Sequence, residues 1–493
     1  MIFIYTDQHN SEMEKAISSV EGLTDAVEIK SLVEVEERHN HILIHGGQII
    51  IPIPWDSTEP PVLFEPTSYS TNDLLAVLLS KLGYEKEALR FCKSDRLKEA
   101  LNCRLQLTQM DDLVPGLTFN HEHYVSTHNH AVLTHYAGHL HNGVAAEKVY
   151  EKAISQAPSG EQAAFSAKHL SIFLMDSGLL SEAEQLLRNY QKEVFSERAE
   201  AYLRLDLINI LIALRSVQYD KNSATEIKEL ISASLAYFEK QGVQWVLANL
   251  LMQASEIANF EKSYSESLGY ISKAIIIYEE EEFPEFLATA YIRKGTLLYT
   301  WAQDQNPQFF QSSIDTYQKA LETFRKEAFP DVYAEIHHNL AVIYAEMPVD
   351  EKKKGMWSAF SATSFKECLE YYQKDTHPFE YAMVSNNYAS ALLKYPPAKT
   401  GDNAEKAIYY YLEALEIRDA QQFPIERAHT ILNYLEACWR VQNVNKTMER
   451  ARYKDMLAKA KEIKQLTEDP QLIADAQAHL DQISSLGLAI MKD

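Results

Sequence analysis

The chain has 493 residues, too many for one ordinary core, so it is either a set of globular domains or one elongated repeat array. Its 46% apolar and 24% charged residues are a globular composition, while 15 Gly and 16 Pro are too few for a turn-rich all-β fold. A net charge of −23, from 70 acidic and 47 basic residues, opposes binding to a phosphate backbone, argues against nucleic acid and favours solubility and a basic or neutral partner.

The N-terminus, MIFIYTDQHN, lacks a basic leader, and no later stretch approaches the roughly 18 uninterrupted apolar residues of a membrane span. Cys92, Cys103, Cys368 and Cys438 are widely separated, with neither disulfide-framework nor zinc-knuckle spacing. A reducing, cytoplasmic setting without membrane contact is therefore expected.

Residues 1–66 read as a small α+β unit. MIFIY is a β-type run, SEMEKAISSVEGL is helical, AVEIKSLVEVE alternates, and HILIHGGQIIIPIPW suggests a hairpin around Gly46-Gly47. The proline-rich stretch from Pro52 to Pro66 has no helical period and predicts a linker, or a strap against the first helices. No strands are expected after it.

From Thr71 onward apolar residues recur at helical spacing. Phe283-Pro284, Phe329-Pro330, His377-Pro378 and Phe423-Pro424 follow one another at 46, 48 and 46 residues. Ten residues before each proline stands Ala274, Ala320, Cys368 or Ala414, and three residues earlier Ile271, Tyr317, Phe365 or Tyr411. Four residues after each proline comes Ala288, Ala334, Ala382 or Ala428, small residues that let two helices approach closely. Each unit thus predicts a helix ending near the dipeptide and a proline-started helix after it, and only stacking buries their apolar stripes.

Ser234, Gln244 and Ala248 form a fainter copy upstream. Gly83 with Ala88, Gly178 with Ala183, and Ala146, Tyr150, Ala153 and Pro158 mark earlier units. Residues 70 to about 440 resemble the tetratricopeptide repeat family, which has a turn glycine, an alanine five residues on and a proline further down. The repeats exceed that family's usual length of about 34 residues, and resemble kinesin-light-chain-like members and bacterial arrays of the FP-x-x-x-A-x-x-x-N-N-L type. The resemblance implies a mostly α fold: an α-α superhelix, or solenoid, over residues 67–442, behind the α+β unit of 1–66. Two amphipathic helices in 443–493 would cap it.

Five residues after each repeated alanine stands a polar residue inside an apolar helix: Gln253, Arg293, Asn339, Asn387 and Asn433. Asparagine is a poor helix-interior residue, so its recurrence there needs a cause. The resemblance implies that this position faces a concave groove, where Asn339, Asn387 and Asn433 hydrogen-bond the main chain of a bound peptide. The alternative is that the asparagines stitch adjacent helices or face water.

Seven of the 17 histidines crowd between residues 120 and 142. Of these, His128, His135 and His139 have spacings that could chelate a metal from one helix face, though no cysteine or carboxylate completes the set and the segment also fits a repeat helix. His39, His41 and His45 read as a strand and its turn, and Glu279–Glu282 and the loop Lys352–Lys354 as solvated surface. No nucleotide-binding or hydrolase motif is present. The expectation is therefore a non-enzymatic scaffold or adaptor for a protein or peptide, without cofactor or metal. Alternatives are a peptide-sensing regulator, or a non-catalytic subunit of a larger enzyme or a defence or signalling complex. Nothing in the sequence indicates an oligomeric state.

Overall fold

The computed structural model describes all residues except 8–10, 36–39, 57–58, 109–116, 138–145, 191–192, 194, 216–220, 305, 398–401, 442–445 and 491–493. The chain forms two compact units, Met1–Val243 and Gln244–Asp493.

The first unit begins with β1 (Ile2–Thr6), α1 (Ser11–Ser18), the short α2 (Leu23–Ala26), β2 (Val27–Ser31), β3 (His41–His45), β4 (Gln48–Ile50) and β5 (Thr67–Ser68). The sheet order is β2-β1-β3-β4-β5, with β1 parallel to β2 and β3, and the hairpin β3–β4 turning at Gly46 and Gly47. Both turn glycines have positive φ, 57° and 72°, which suits a two-residue hairpin loop. Ile2, Ile4, Ile42, Ile44 and Ile49 join one core with Met13 and Ile17 of α1 and with leucines of the first repeat helix. β5 corrects the expectation that strands end before Pro66: its two residues pair with β4 just beyond the proline-rich stretch.

Helices follow: α3 (Thr71–Lys81), α4 (Glu85–Phe91), α5 (Asp95–Thr108), α6 (Tyr124–Tyr136), α7 (Ala146–Gln156), α8 (Gly160–Asp176), α9 (Leu180–Tyr190), α10 (Glu197–Arg215) and α11 (Lys221–Gln241). Each packs on the next, and α6, α8 and α10 also pack on one another as the first helices of successive hairpins. Gly83 and Gly178 end α3 and α8 in the left-handed region, at φ 85° and 76°, and the alanines five residues on, Ala88 and Ala183, are fully buried. Residues 52–56 and 59–66 run without regular structure, and they reach further than the expected strap against the first helices. Leu63 is held by Asn129 of α6, and Trp55 packs edge-on against Phe165 of α8.

The second unit contains α12 (Gln244–Phe260), α13 (Tyr264–Glu280), α14 (Pro284–Gln303), α15 (Phe309–Thr323), α16 (Pro330–Glu346), α17 (Glu351–Tyr371), α18 (Pro378–Leu392), α19 (Asn403–Ile417), α20 (Pro424–Arg440), α21 (Lys446–Leu466) and α22 (Pro470–Ile490). Proline is the first residue of α14, α16, α18 and α20, where its fixed φ suits a helix start and its missing N–H is no loss. Ala288, Ala334, Ala382 and Ala428 are at most 1% exposed, so the even-numbered helices approach their neighbours closely. α12 packs on α14, α14 on α16 and α16 on α18, forming a layer of first helices. Lys352–Lys354 lie in the first turns of α17, not in a loop, because the Asp350 side chain accepts the Lys353 N–H and starts the helix there.

Candidate partner-binding row

Gln253, Arg293, Asn339, Asn387 and Asn433 are each the tenth residue of their helix, on α12, α14, α16, α18 and α20. The repeated alanine is the fifth residue, and five further residues rotate a side chain about 140° around a helix. The alanine can thus sit in the packed stripe while the tenth residue emerges near its edge. Arg293 is exposed and the other four are half-buried.

Three helices are joined through this position. Asn433 on α20 donates from Nδ2 to the Oδ1 of Asn386 (3.3 Å), and Asn386 donates to the Oδ1 of Asn387 (3.2 Å). Asn387 in turn donates from Nδ2 to Nε2 of His338 on α16 at 2.9 Å. Burial lowers the His338 pKa to about 4, so the ring is neutral and its Nε2 can accept. Asn387 and Asn433 therefore do stitch adjacent helices, Asn433 with one N–H of its carboxamide and Asn387 with one N–H and its oxygen. Arg293 pairs with Glu256 of α12.

Two clefts open on this layer. One of about 550 Å³ is lined by Arg293, Glu256, Thr289, Thr296, Phe324 and Glu335 from α12, α14, α16 and the end of α15. Another of about 490 Å³ lies between α20 and α22 and is lined by Asn433, His429, Glu436, Asp475 and His479. Since Arg293 is matched by Glu256, the first cleft keeps Glu335 as its additional charge and suits a neutral or basic segment.

The histidine-rich segment is engaged differently. His128 is fully buried, with Nδ1 on Ser166 Oγ (2.9 Å) and Nε2 on the Pro61 carbonyl (3.0 Å). His135 places Nε2 on Asp176 (3.0 Å) and Nδ1 near the Tyr150 hydroxyl (3.4 Å). Both rings thus have both nitrogens occupied. α6 ends at Tyr136, and His139 lies outside the described residues. Among the described residues no group of three or more His, Cys, Asp or Glu is placed to hold a metal ion, and no helix is long and apolar enough to cross a membrane.

Sequence reasoning missed His338 and Asn386, the ninth residues of their helices, although both immediately precede the recurring polar position. It also missed a repeated buried serine. Ser267, Ser313 and Ser361 stand four residues before Ile271, Tyr317 and Phe365, and all are fully buried. Each donates to a carbonyl of the preceding helix: Ser255 at 2.7 Å, Gly295 at 2.7 Å and Ala341 at 2.6 Å. These acceptors are the twelfth residues of α12, α14 and α16.

No protein-family model and no curated protein matches the sequence. Among solved structures, the chain is similar to a signal-transduction ATPase with a tetratricopeptide repeat sensor from Pyrococcus horikoshii, at 12% identity and a TM-score of 0.45, over 99% of this chain and 78% of that one. It is similar to yeast Tom70 at 13% identity and a TM-score of 0.37, over 84% and 82% of the two chains. It is also similar to the human IFIT1 dimer with PPP-AAAA, at 14% identity and a TM-score of 0.36, over 85% and 90%. The resemblance to tetratricopeptide repeats rests on this chain's own hairpins: turn glycines, buried alanines five residues on, and proline-started first helices.

Proposed function

We propose that the chain is a cytoplasmic protein-interaction scaffold that takes an extended partner segment along the row Gln253, Arg293, Asn339, Asn387 and Asn433. The observation that carries this reading is the recurrence of a half-buried polar side chain at the tenth position of α16, α18 and α20, beside clefts at both ends of the row. A carboxamide offers donor and acceptor together and can pair with a peptide unit whatever its side chains, while neighbours such as Glu335 and Glu436 select for charge. The row contains no nucleophile with an adjacent base, which favours a scaffold over an enzyme.

In the same reading, residues 443–493 cap the array. Met456, Ala460, Ile463, Leu472, Ala476 and Ile483 of α21 and α22 join the core beneath α20, and the last helix turns a polar face outward. Residues 1–66, with β5 just beyond them, stand as the α+β unit ahead of the repeats that run to 442.

The test is a pull-down from native lysate with wild type, with Asn339/Asn387/Asn433→Ala, and with Asn386→Ala. Asn386→Ala removes the central link of the amide ladder and leaves the tenth positions intact, so it separates stitching from binding. A partner lost with the triple variant but retained by Asn386→Ala supports the row as its site. Equal retention by all three places the partner elsewhere.

A further inference from the structure

The proline-rich strap lies across the first helices of the first unit, and its anchors are those by which a protein grips a foreign peptide. Asn129 accepts the Leu63 N–H at Oδ1 (2.8 Å) and donates from Nδ2 to the Leu63 carbonyl (2.9 Å), so one carboxamide satisfies both polar groups of one residue's main chain. His128 meets the Pro61 carbonyl at 3.0 Å. These contacts read main chain and are indifferent to the side chains of the bound segment.

The strap's own side chains add a pattern of aromatic, acid, acid and apolar residues. Trp55 packs on Phe165 at 5.1 Å between ring centres and directs Nε1 toward Glu161 (3.3 Å). Asp56 is buried, and both it and the buried Arg198 of α10 act electrostatically on Tyr202 of the same helix. Glu59 meets the buried Lys81 ammonium at 3.1 Å. Val62 is fully buried with Ala100, Cys103 and Leu133. In a chain of net charge −23, cationic side chains buried under carboxylates of an irregular segment are an exception that calls for a cause.

The strap also matches its seat incompletely. Among the described residues, His169 is buried against His128 and Phe165 with no hydrogen-bond partner for either ring nitrogen, and the buried Arg198 Nε has none either. Such groups carry a desolvation cost that a better-fitting ligand would relieve.

We propose that α6, α8 and α10, with Lys81, form a second binding site, for an extended acidic, proline-containing segment of a partner protein, and that residues 55–56 and 59–63 occupy it as a tethered internal ligand. The partner's aromatic residue takes the Phe165–Glu161 slot, its two carboxylates take Arg198 and Lys81, and its main chain takes Asn129 and His128. Tethering gives the internal segment a high effective concentration, so an external segment binds weakly until the strap is loosened. This site is separate from the row on the second unit.

The test uses a fluorescein-labelled synthetic peptide of residues 53–66, titrated by anisotropy into the full-length wild type and into full-length Trp55→Ala/Glu59→Gln. Saturable binding to the variant, about tenfold or more tighter than to wild type, is expected from loss of the internal competitor. That binding is to be unchanged by Asn339/Asn387/Asn433→Ala, which distinguishes the two sites. A variant with a native circular dichroism spectrum that binds no tighter than wild type overturns the proposal. Light scattering showing dimers of the variant overturns it in favour of strap exchange between copies. Hydrogen exchange on wild type gives a readout independent of mutation. The Leu63 amide is expected to exchange at least about a hundredfold faster than the Val132 amide of α6, through local release of the strap. Exchange of both at one slow rate means that the strap leaves only on global unfolding, and overturns the proposal.

Discussion

Asn387 on α18 donates a side-chain N–H to Nε2 of His338 on α16 over 2.9 Å, joining residues 49 positions apart in sequence. The bond belongs to a ladder of amides, and its acceptor is nine-tenths buried. Asn387→Ala leaves the imidazole without its donor and is expected to cost about 1–2 kcal/mol of stability. A denaturant double-mutant cycle with His338→Leu measures the shared part, expected at about 0.5–1 kcal/mol. Strict additivity would show that the ladder contributes nothing.

Two buried histidines, His128 and His338, set an acid limit. Burial lowers the pKa of both His128 and His338 to about 4 from an ordinary 6.5. Between those values the unfolded chain binds a proton at each site that the folded chain does not. Stability is therefore fully present above pH 6.5, falls as pH drops toward 4, and levels off below. The loss approaches about 3 kcal/mol per histidine. Denaturant midpoints measured across this range check the slope, and His338→Gln is expected to flatten the transition of the second unit.

Gly295 of α14 lies against the Tyr317 ring, and a Cβ built there would sit 2.8 Å from ring carbons. Gly269 in α13 and Gly355 in α17 have nothing within 4 Å of the corresponding point. Gly→Ala in a helix ordinarily stabilises by about 0.5–1 kcal/mol, the expected result at 269 and 355. At 295 the sign reverses, with a loss of about 1–3 kcal/mol from overpacking. Thermal melts of the three variants decide it, and Tyr317→Leu is expected to remove most of the penalty at 295.

Ser361 is fully buried and donates to the Ala341 carbonyl at 2.6 Å. Ser361→Ala removes the donor and should cost about 1 kcal/mol, and Ser313→Ala a similar amount through Gly295. In α19 the corresponding residue is Ala407, also fully buried, so Ala407→Ser asks whether the device can be added to a hairpin that lacks it. A gain in unfolding midpoint is expected if the hydroxyl reaches the carbonyl of Ala389, the twelfth residue of α18.

Much of the fold was legible because the repeat states its rule several times. One such dipeptide is a weak signal, but three Phe-Pro and one His-Pro spaced at 46, 48 and 46 residues define both where α14, α16, α18 and α20 begin and which alanines they bury. The candidate row was legible for the same reason, since a polar residue recurring at the tenth position breaks an otherwise apolar pattern. Lys352–Lys354 were misplaced because the helix start there depends on one side-chain bond from Asp350.

By itself, then, the sequence determined what local chemistry and periodicity control: helix starts at proline, left-handed stops at Gly83 and Gly178, the buried alanines, and the strand character of residues 2–6 and 41–50. Tertiary structure alone decided which polar groups meet. Leu63 and Asn129 are 66 residues apart, and Asn433 and Asn386 are 47 apart, so no short-range pattern could pair them. Side-chain hydrogen bonds depend on distances of a few tenths of an ångström, and these are set only when neighbouring helices dock.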